Sequence, residues 1–263
     1  IHDGVVLFAD ELDVSADTST FSFSFSASGG SAGTFAFNGT FSLIDIDNQT
    51  WAGIDNGARI VIGDFNDENL NRETARLEAS HPGRVLGVHC DVTDEAQVQG
   101  LVTTAIEQLG HIDVWMNNAG LGGNAAVVDM TDEQWNVVLD VTLTGTFRCL
   151  RAVLPHMYER GEGAIVNNAS VLGWRAQELQ AHYAAAKAGV MALTRCSAME
   201  AAKHNVRVNA VSPSLAMHPF LAKVTPDGLL EELEAKEAFG RAAEPWEIAN
   251  VMVMLASNYT TYM

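Results

Sequence analysis

The sequence predicts an α/β fold in which a doubly wound parallel sheet carries helices on both faces. Short, mostly β-branched apolar runs alternate with longer stretches whose apolar residues recur at helical spacing. The short runs are Ile60–Ile62, Val85–Val88, Ile112–Met116, Ala164–Val166 and Val206–Val211. Such runs are typical of strands buried on both faces of a parallel sheet. Repeated β-α units joined by right-handed crossovers build a sheet of this kind within a single domain.

Three of the helices are marked by their periodicity or by a capping residue. Asp94 to Leu109 has apolar residues at helical spacing, and Thr93 is predicted to cap its start. A second helix, Glu133–Leu154, opens with Thr131 and Gln134 as a capping box, and a third carries Tyr183 through Glu200. Ligands of doubly wound sheets bind beyond the carboxyl ends of the strands, so we expect the functional residues there.

Residues 1–56 differ in composition from residues 57–263. Up to residue 58 the chain contains eight acidic side chains, no Lys or Arg, and seven of its eleven Phe. Thr20–Ala27 alternates polar with apolar residues, a glycine-containing turn follows, and Thr34–Ile46 continues a β-like pattern, which together predict a β-hairpin. We therefore expect a single domain that begins with an atypical, acidic, β-rich segment.

The charge balance excludes several classes of partner. The 263 residues include 15 Lys+Arg and 33 Asp+Glu, a net charge of −18. Nucleic acids and anionic membrane surfaces select basic faces, so neither is an expected partner. No apolar run is long enough for a membrane helix and the start is acidic, which favours a cytoplasmic protein. The three cysteines are widely spaced and suggest reduced thiols, with no metal site.

Three sequence features suggest chemistry at the strand ends. Tyr183 and Lys187 are four residues apart, which places both on one face of a helix. Ser170 follows the strand Ala164–Val166, where its side chain can reach the same pocket. The turn from Asn117 to Gly120, with the sequence Asn-Asn-Ala-Gly, follows the strand Ile112–Met116, and its glycine lets a flat ligand approach the backbone.

In the order and spacing of these residues the chain resembles the short-chain dehydrogenase/reductase family, whose fold is Rossmann-like. The resemblance covers about residues 57–263, includes Asn209-Ala-Val-Ser-Pro213, and extends from Phe239-Gly-Arg241 to Leu255-Ala256. It implies an NAD(P)-dependent oxidoreductase that interconverts a secondary alcohol and a ketone, with a small-molecule carbonyl or alcohol as substrate. Among family members the core most resembles those that reduce 3-oxoacyl thioesters or oxidise related secondary alcohols.

The resemblance also implies a homo-oligomer, either a dimer or a tetramer. Family members commonly associate through the helices that correspond here to Glu133–Leu154 and Ala181–Glu200. The sequence stops at Tyr262-Met263, where family members continue into a last strand. We therefore expect a sheet without that strand, or one whose edge is occupied by part of the front segment.

Four residues are expected to carry the reaction. An unperturbed phenol has a pKa of about 10, so Tyr183 needs the nearby ammonium of Lys187 to act as an acid and base at neutral pH. The resemblance also implies that Lys187 hydrogen-bonds the nicotinamide ribose, and that Ser170 donates a hydrogen bond to the substrate carbonyl. Thr142 stands where the family usually has an Asn that holds a proton-relay water, and its hydroxyl could hold that water less firmly.

The expected cofactor contacts lie at the ends of successive strands. Besides Tyr183 and Lys187 they are Asp64, Asp91, Val92, Asn118, Ala119, Gly120 and Pro213. A carboxylate at Asp64 would bind the adenosine ribose hydroxyls of NAD and repel the 2′-phosphate of NADP, so NAD is preferred. Two alternatives stay open: Asp64 caps the following helix, and Asp91 is a simple loop carboxylate.

The front of the chain departs most from the family. Asp3–Phe8 is similar to the opening strand, but Ala9-Asp10-Glu11 stands where a glycine-rich phosphate loop should follow, and Gly29-Gly30-x-x-Gly33 is a weak substitute. Ser214 replaces the Gly expected after Pro213, and His218 stands about where a Thr would bind the carboxamide. The alternative function is therefore a non-catalytic binding or scaffold protein that has lost its dinucleotide loop.

Four further side chains are predicted to flank the site and to indicate a partly apolar substrate. They are Trp174, Leu179, His182 and Met217. Core packing is the commoner role for residues of these types.

Overall fold

The structure is a computed structural model that describes residues 22–27, 59–217 and 228–263. Its six strands are β1 (Ser22–Ala27), β2 (Arg59–Asp64), β3 (Val85–His89), β4 (Val114–Asn117), β5 (Gly163–Asn168) and β6 (Val206–Val211). Its α-helices are α1 (Asp67–Ser80), α2 (Glu95–Leu109), α3 (Asp132–Leu139), α4 (Gly145–Arg160), α5 (Ala181–Ala201), α6 (Leu229–Lys236) and α7 (Pro245–Ala256). The predicted order of strands and helices from residue 59 onward is confirmed.

The strands form one parallel sheet in the order β3-β2-β1-β4-β5-β6. The chain moves outward from β1 through β2 to β3, then returns to β4 on the other side of β1. This reversal creates a topological switch point between β1 and β4, where ligands of doubly wound sheets bind. The predicted Rossmann-like fold is therefore confirmed.

Strand β1 corrects the prediction for the front segment. Phe25 lies opposite Ile62 of β2 on one edge and opposite Met116 of β4 on the other. Both edges of β1 are thus occupied by parallel neighbours, so the predicted hairpin is wrong, and β1 lies at the centre of the sheet rather than beside β6. The remaining predictions for the front segment, for Asp3–Glu11, for Gly29 to Gly33 and for Thr34–Ile46, fall outside the described residues.

The core lies in two layers, one on each face of the sheet. Trp115 and Ile165 point to the layer that is covered by α2, α4 and α5. Val114 and Met116, the neighbours of Trp115 on β4, point to the opposite layer with Leu77 of α1 and Met252 of α7. This alternation buries β4 on both faces, as its uninterrupted apolar sequence predicts.

The predicted helix Glu133–Leu154 is interrupted. The capping box of Thr131 and Gln134 is present and starts α3, but residues 140–144 form a π-helical turn before α4 begins. A π turn inserts one extra residue into the helix and is often found at functional sites. Thr142 lies in this turn.

One capping prediction is wrong in detail. Asp94, not Thr93, caps α2, because its carboxylate accepts hydrogen bonds from the backbone N–H groups of Ala96 and Gln97. The Thr93 hydroxyl instead donates to the carboxylate of Asp91 over 2.8 Å.

In the part of the chain that the structure describes, no helix combines the length and the apolar character that a membrane span needs. Cys90 and Cys149 are buried and Cys196 is exposed, and none of the three forms a disulfide bond.

Candidate active site

The residues singled out around Tyr183 meet in one cavity at the carboxyl ends of β4 and β5. The cavity has a volume of about 250 Å³. The predicted residues that line it are Asn118, Gly120, Ser170, Tyr183, Lys187 and Pro213. Residues up to 95 positions apart in the sequence therefore share one pocket.

Lys187 is fixed at the inner end of this cavity. Its side chain is only 3% exposed, and its ammonium donates a hydrogen bond of 2.5 Å to the backbone carbonyl of Asn168, the last residue of β5. Its Nζ lies 5.6 Å from the ring centroid of Tyr183, as expected for two residues one turn apart on α5.

Burial shifts the pKa values of these two groups in opposite directions. It raises the pKa of Tyr183 to about 12, against the smaller effect of a hydrogen bond with Ser170, and lowers the pKa of Lys187 to about 8. The expected lowering of the pKa of Tyr183 by Lys187 is therefore not seen in this structure. At neutral pH the phenol keeps its proton, and the lysine is still mostly charged.

Ser170 lies between β5 and a short 3₁₀ turn, Val171–Gly173. Its side chain is 8% exposed, and its Oγ accepts a hydrogen bond of 3.2 Å from the backbone N–H of Leu172. Because the hydroxyl caps this turn as an acceptor and is hydrogen-bonded to Tyr183, it is held close to the phenol.

Thr142 does not line the cavity. It is fully buried, and its Oγ1 donates to the carbonyl of Leu121 over 3.1 Å and accepts from the N–H of Leu121 over 2.9 Å. The hydroxyl proton is thus used to fasten the segment after Asn117 to Gly120 onto the π turn. The structure shows this positioning contact, and the role of Thr142 at a relay water stays a prediction.

Asn168 is a site residue that the sequence reasoning missed. Its side-chain Nδ2 donates to the Oδ1 of Asn118 over 2.7 Å and ties the ends of β4 and β5 together. The other amide atoms, Asn118 Nδ2 and Asn168 Oδ1, are buried without a hydrogen-bond partner in the structure. A buried polar atom without a partner costs about 1 to 3 kcal/mol, so this donor and acceptor on the cavity wall suit a polar ligand. In the sequence, the position of Asn168 at the end of a buried strand, two residues before Ser170, could have identified it as a site residue.

The four predicted flanking side chains do not line the cavity. Trp174 and Leu179 are exposed, whereas His182 is 2% exposed, packs against Gly123, and has a pKa lowered by burial. His182 is thus a core residue, the alternative that the sequence left open. The apolar wall is instead formed by Leu172, Leu215, Ala216 and Leu233. His218 lies outside the described residues.

Comparisons with known proteins identify the family. A family model described as enoyl-(acyl carrier protein) reductase matches residues 52–263. A solved structure of a short chain dehydrogenase from Mycobacterium smegmatis superposes with a TM-score of 0.73 and 44% identity, covering 93% of this chain and 89% of that one. The chain belongs to the short-chain dehydrogenase/reductase family.

Two curated members of the family are similar to this chain over 79% of its length. One, from Mycobacterium tuberculosis, is (5R,7aS)-5-hydroxy-7a-methyl-1-oxo-2,3,5,6,7,7a-hexahydro-1H-indene-carboxyl-CoA reductase, at 56% identity over 79% of the relative. The other, from Thermotoga maritima, is 3-oxoacyl-[acyl-carrier-protein] reductase, at 37% identity over 83% of the relative. Both are oxidoreductases, and neither description supports the non-catalytic alternative.

Members of the short-chain dehydrogenase/reductase family use NAD(P), and the described residues fit the two ends of such a cofactor. Asp64 is 3% exposed and ends β2, opposite Ala27 of the central strand. Near Lys187, the unpartnered amide atoms of Asn118 and Asn168 match the hydroxyl and amide groups of a nicotinamide nucleoside.

The contacts of Asp64 decide whether it caps the helix that follows β2. Its Oδ1 accepts a hydrogen bond of 2.8 Å from the N–H of Asn66, and Asn66 itself caps α1 through the N–H of Asn69. The alternative that Asp64 caps the following helix is therefore wrong, because Asn66 is the capping residue.

At the next strand end, Asp91 accepts hydrogen bonds from the backbone and the hydroxyl of Thr93, as a loop carboxylate does. The Val92 side chain is fully buried in the core, which leaves only its main chain for the predicted cofactor contact.

Proposed function

We propose that the protein interconverts a secondary alcohol and a ketone by NAD(P)-dependent hydride transfer, with Tyr183 as the acid and base. The observation that carries this proposal is the convergence of Tyr183, Ser170 and Lys187 in one cavity, with the phenol protonated and the ammonium anchored. Family membership supports the reaction class.

In the direction of reduction, a nicotinamide cofactor held beside Lys187 and Asn118 would supply the hydride for the carbonyl carbon. Ser170 donates a hydrogen bond to the carbonyl oxygen and stabilises the negative charge that develops there. Tyr183 transfers its phenolic proton to that oxygen, which yields the alcohol and leaves a phenolate. The charged Lys187 stabilises this phenolate electrostatically, and in the direction of oxidation Tyr183 takes the proton back.

Lys187 and Asn118 are the residues we assign to the nicotinamide half of the cofactor. The ammonium of Lys187 has three donors, and one is used by the carbonyl of Asn168. The other two would bind the ribose hydroxyls of the cofactor. Gly120 and Pro213 line the same cavity, whereas the side chain of Ala119 packs in the core, so we assign Ala119 only a main-chain contact. A Cβ on Gly120 would lie 3.4 Å from Lys187 Nζ, so glycine keeps this approach open.

We propose NAD rather than NADP as the preferred cofactor because Asp64 would repel a 2′-phosphate. Asp64→Ser should raise kcat/KM with NADPH relative to NADH by about tenfold or more. This factor corresponds to the free energy of about one charged hydrogen bond. An unchanged ratio would remove this argument for NAD.

The proposed substrates are ring ketones or ring alcohols that carry a carboxyl group, free or as a thioester. The Mycobacterium tuberculosis relative is named for a fused-ring CoA ester. The apolar side of the cavity suits a carbocycle, and its polar side suits the oxygen that reacts.

The proposal is tested by following the absorbance of NADH with 4-oxocyclohexanecarboxylate and its CoA thioester. We expect Tyr183→Phe to abolish turnover while NADH still quenches the protein fluorescence, and Ser170→Ala to lower kcat by about 100-fold or more. If millimolar NADH does not bind the wild-type protein, the proposed function is wrong. Full activity of Tyr183→Phe would refute only the mechanism.

We also propose a homo-oligomer. The helices that the sequence assigned to subunit contact carry exposed apolar side chains, which supports this proposal. They are Trp135 on α3, Phe147 on α4 and Met199 on α5. Light scattering coupled to gel filtration should give a dimer or larger, and Phe147→Asp should shift it toward the monomer.

A further inference from the structure

The cavity carries a second polar cluster that the proposed reaction does not use. Ser214 Oγ donates a hydrogen bond of 2.6 Å to Glu237 Oε1. Nη2 of Arg175 lies 3.4 Å from Ser214 Oγ and 3.9 Å from the same carboxylate oxygen. All three residues line the cavity, and the arginine side chain is 53% exposed while that of the glutamate is 17% exposed. The guanidinium therefore lies at the solvent side of the cluster.

Three segments of the chain bring this cluster together. Arg175 follows the 3₁₀ turn after Ser170, and its N–H donates to the carbonyl of Val171 over 2.8 Å. Ser214 follows Pro213, whose carbonyl accepts from the N–H of Val171 over 3.0 Å. Arg175 and Ser214 are thus attached through Val171 to the segment that holds the proposed catalytic serine. At position 214 a Gly would provide no hydroxyl for either contact, so the departure from the family pattern creates the cluster.

The positive charge of Arg175 matters because the protein as a whole is strongly acidic. Arg175 and Lys187 are the cations among the described residues that line the cavity, and Lys187 is nearly inaccessible. A net charge of −18 opposes the approach of an anionic substrate, so a local cation is needed to offset it. The contacts of Arg175 to Ser214 and Glu237 are both long, so a closer anion can compete for the guanidinium.

We propose that Arg175 is a specificity-determining residue that binds an anionic group of the substrate, and that Ser214 and Glu237 hold its guanidinium at the cavity mouth. The anion is either a ring carboxylate or a phosphate of a CoA ester, since a guanidinium binds both with paired hydrogen bonds. This inference rests on the proposed function only for the choice of a ring ketone as the ligand. It does not depend on hydride transfer, because binding can be measured without reaction.

The two charged members of the cluster should act in opposite directions. Arg175→Gln removes the cation and should weaken the binding of an anionic ligand by about tenfold or more. Glu237→Gln keeps an acceptor for Ser214 but removes the competing charge, so it should tighten binding by a few fold. A cluster that only stabilised the fold would give weaker binding in both variants.

The test is calorimetric titration of the protein, alone and saturated with NAD⁺, so that a ketone binds without being reduced. The probes are 4-oxocyclohexanecarboxylate, its CoA thioester and its neutral methyl ester. We expect Arg175→Gln to raise Kd for at least one anionic probe and to leave Kd for the methyl ester unchanged. Arg175→Lys should restore part of the affinity, and high salt should reduce the difference. Arg72→Gln, at an arginine whose side chain is 58% exposed on α1, is the matched control.

The outcomes separate the two sources of charge. Loss of affinity for the free acid alone assigns the site to a carboxylate, and loss for the thioester alone assigns it to the CoA phosphates. Equal losses for all three probes, or no loss, overturn the inference, as does a wild-type protein that binds none of them. Binding of the probes without turnover would instead overturn the proposed reaction and leave the anion site standing.

Discussion

Replacing Lys187 by Met should change how the stability of the protein depends on pH. The ammonium is 3% exposed, and burial lowers its pKa from 10.5 to about 8. In the unfolded chain the same group keeps its ordinary pKa. Between about pH 8 and pH 10.5 the unfolded state therefore binds a proton that the folded state has released, and the free energy of unfolding gains a contribution that rises with pH.

The size of this contribution follows from the difference between the two pKa values. At 1.36 kcal/mol for each pKa unit, the wild-type protein gains about 3 kcal/mol relative to the Lys187→Met variant across this range. The variant also loses the hydrogen bond to the carbonyl of Asn168, but that loss shifts its stability by a similar amount at every pH. Tyr183 titrates in the unfolded state of both proteins, so its effect cancels in the comparison.

Urea unfolding at several pH values between about 7 and 10 measures the difference directly. We expect the gap in unfolding free energy between wild type and Lys187→Met to move in favour of wild type by about 2 kcal/mol or more over this interval. Lys203→Met is the control, because Lys203 is exposed, and its curve should run parallel to that of wild type. Parallel curves for Lys187→Met would show that the buried lysine keeps an ordinary pKa and would refute this prediction.

Two predictions concern the packing around the site, and both are checked by chemical denaturation. Thr142→Val should lower the free energy of unfolding by about 1 to 3 kcal/mol, because it leaves the buried N–H and carbonyl of Leu121 without their partner, and Thr142→Ser should recover most of the loss. Gly145→Ala should cost about 1 to 3 kcal/mol, because its Cβ would lie 2.6 Å from Cγ2 of Val92, a stiff β-branched side chain. Gly100→Ala, where nothing lies within 4 Å, should instead stabilise the protein by up to about 1 kcal/mol, and a loss there would contradict the packing argument.

The meeting of Tyr183, Lys187, Ser170 and Asn118 in one cavity could be predicted from simple geometric rules for helices and parallel sheets. Residues four apart on a helix face the same side, which placed Tyr183 beside Lys187. Ser170 and Asn118 each follow a strand of the same parallel sheet, and the carboxyl ends of such strands share one edge. The geometry of one helix and the shared edge of one sheet are therefore enough to bring these four residues to one cavity.

The position of β1 could not be predicted in the same way. Its alternation of Ser and Phe is typical of a half-buried strand, which favours a hairpin, whereas central parallel strands are usually apolar throughout. Its actual partners, β2 and β4, begin more than 30 residues farther along the chain. Periodicity describes the faces of a strand and carries no information about its neighbours.

The contacts of Lys187 show why one difference from the family pattern need not disturb the site. The expected Asn at position 142 is absent, and the hydroxyl of Thr142 is committed to Leu121. The ammonium of Lys187 is nevertheless anchored, because the carbonyl at the end of β5 accepts its hydrogen bond. The position of the cation thus depends on β5 and α5, not on the π turn. Thr142→Val should therefore lower stability while Kd for NADH changes little, and a variant that lost cofactor affinity in proportion to its loss of activity would show instead that the π turn positions Lys187.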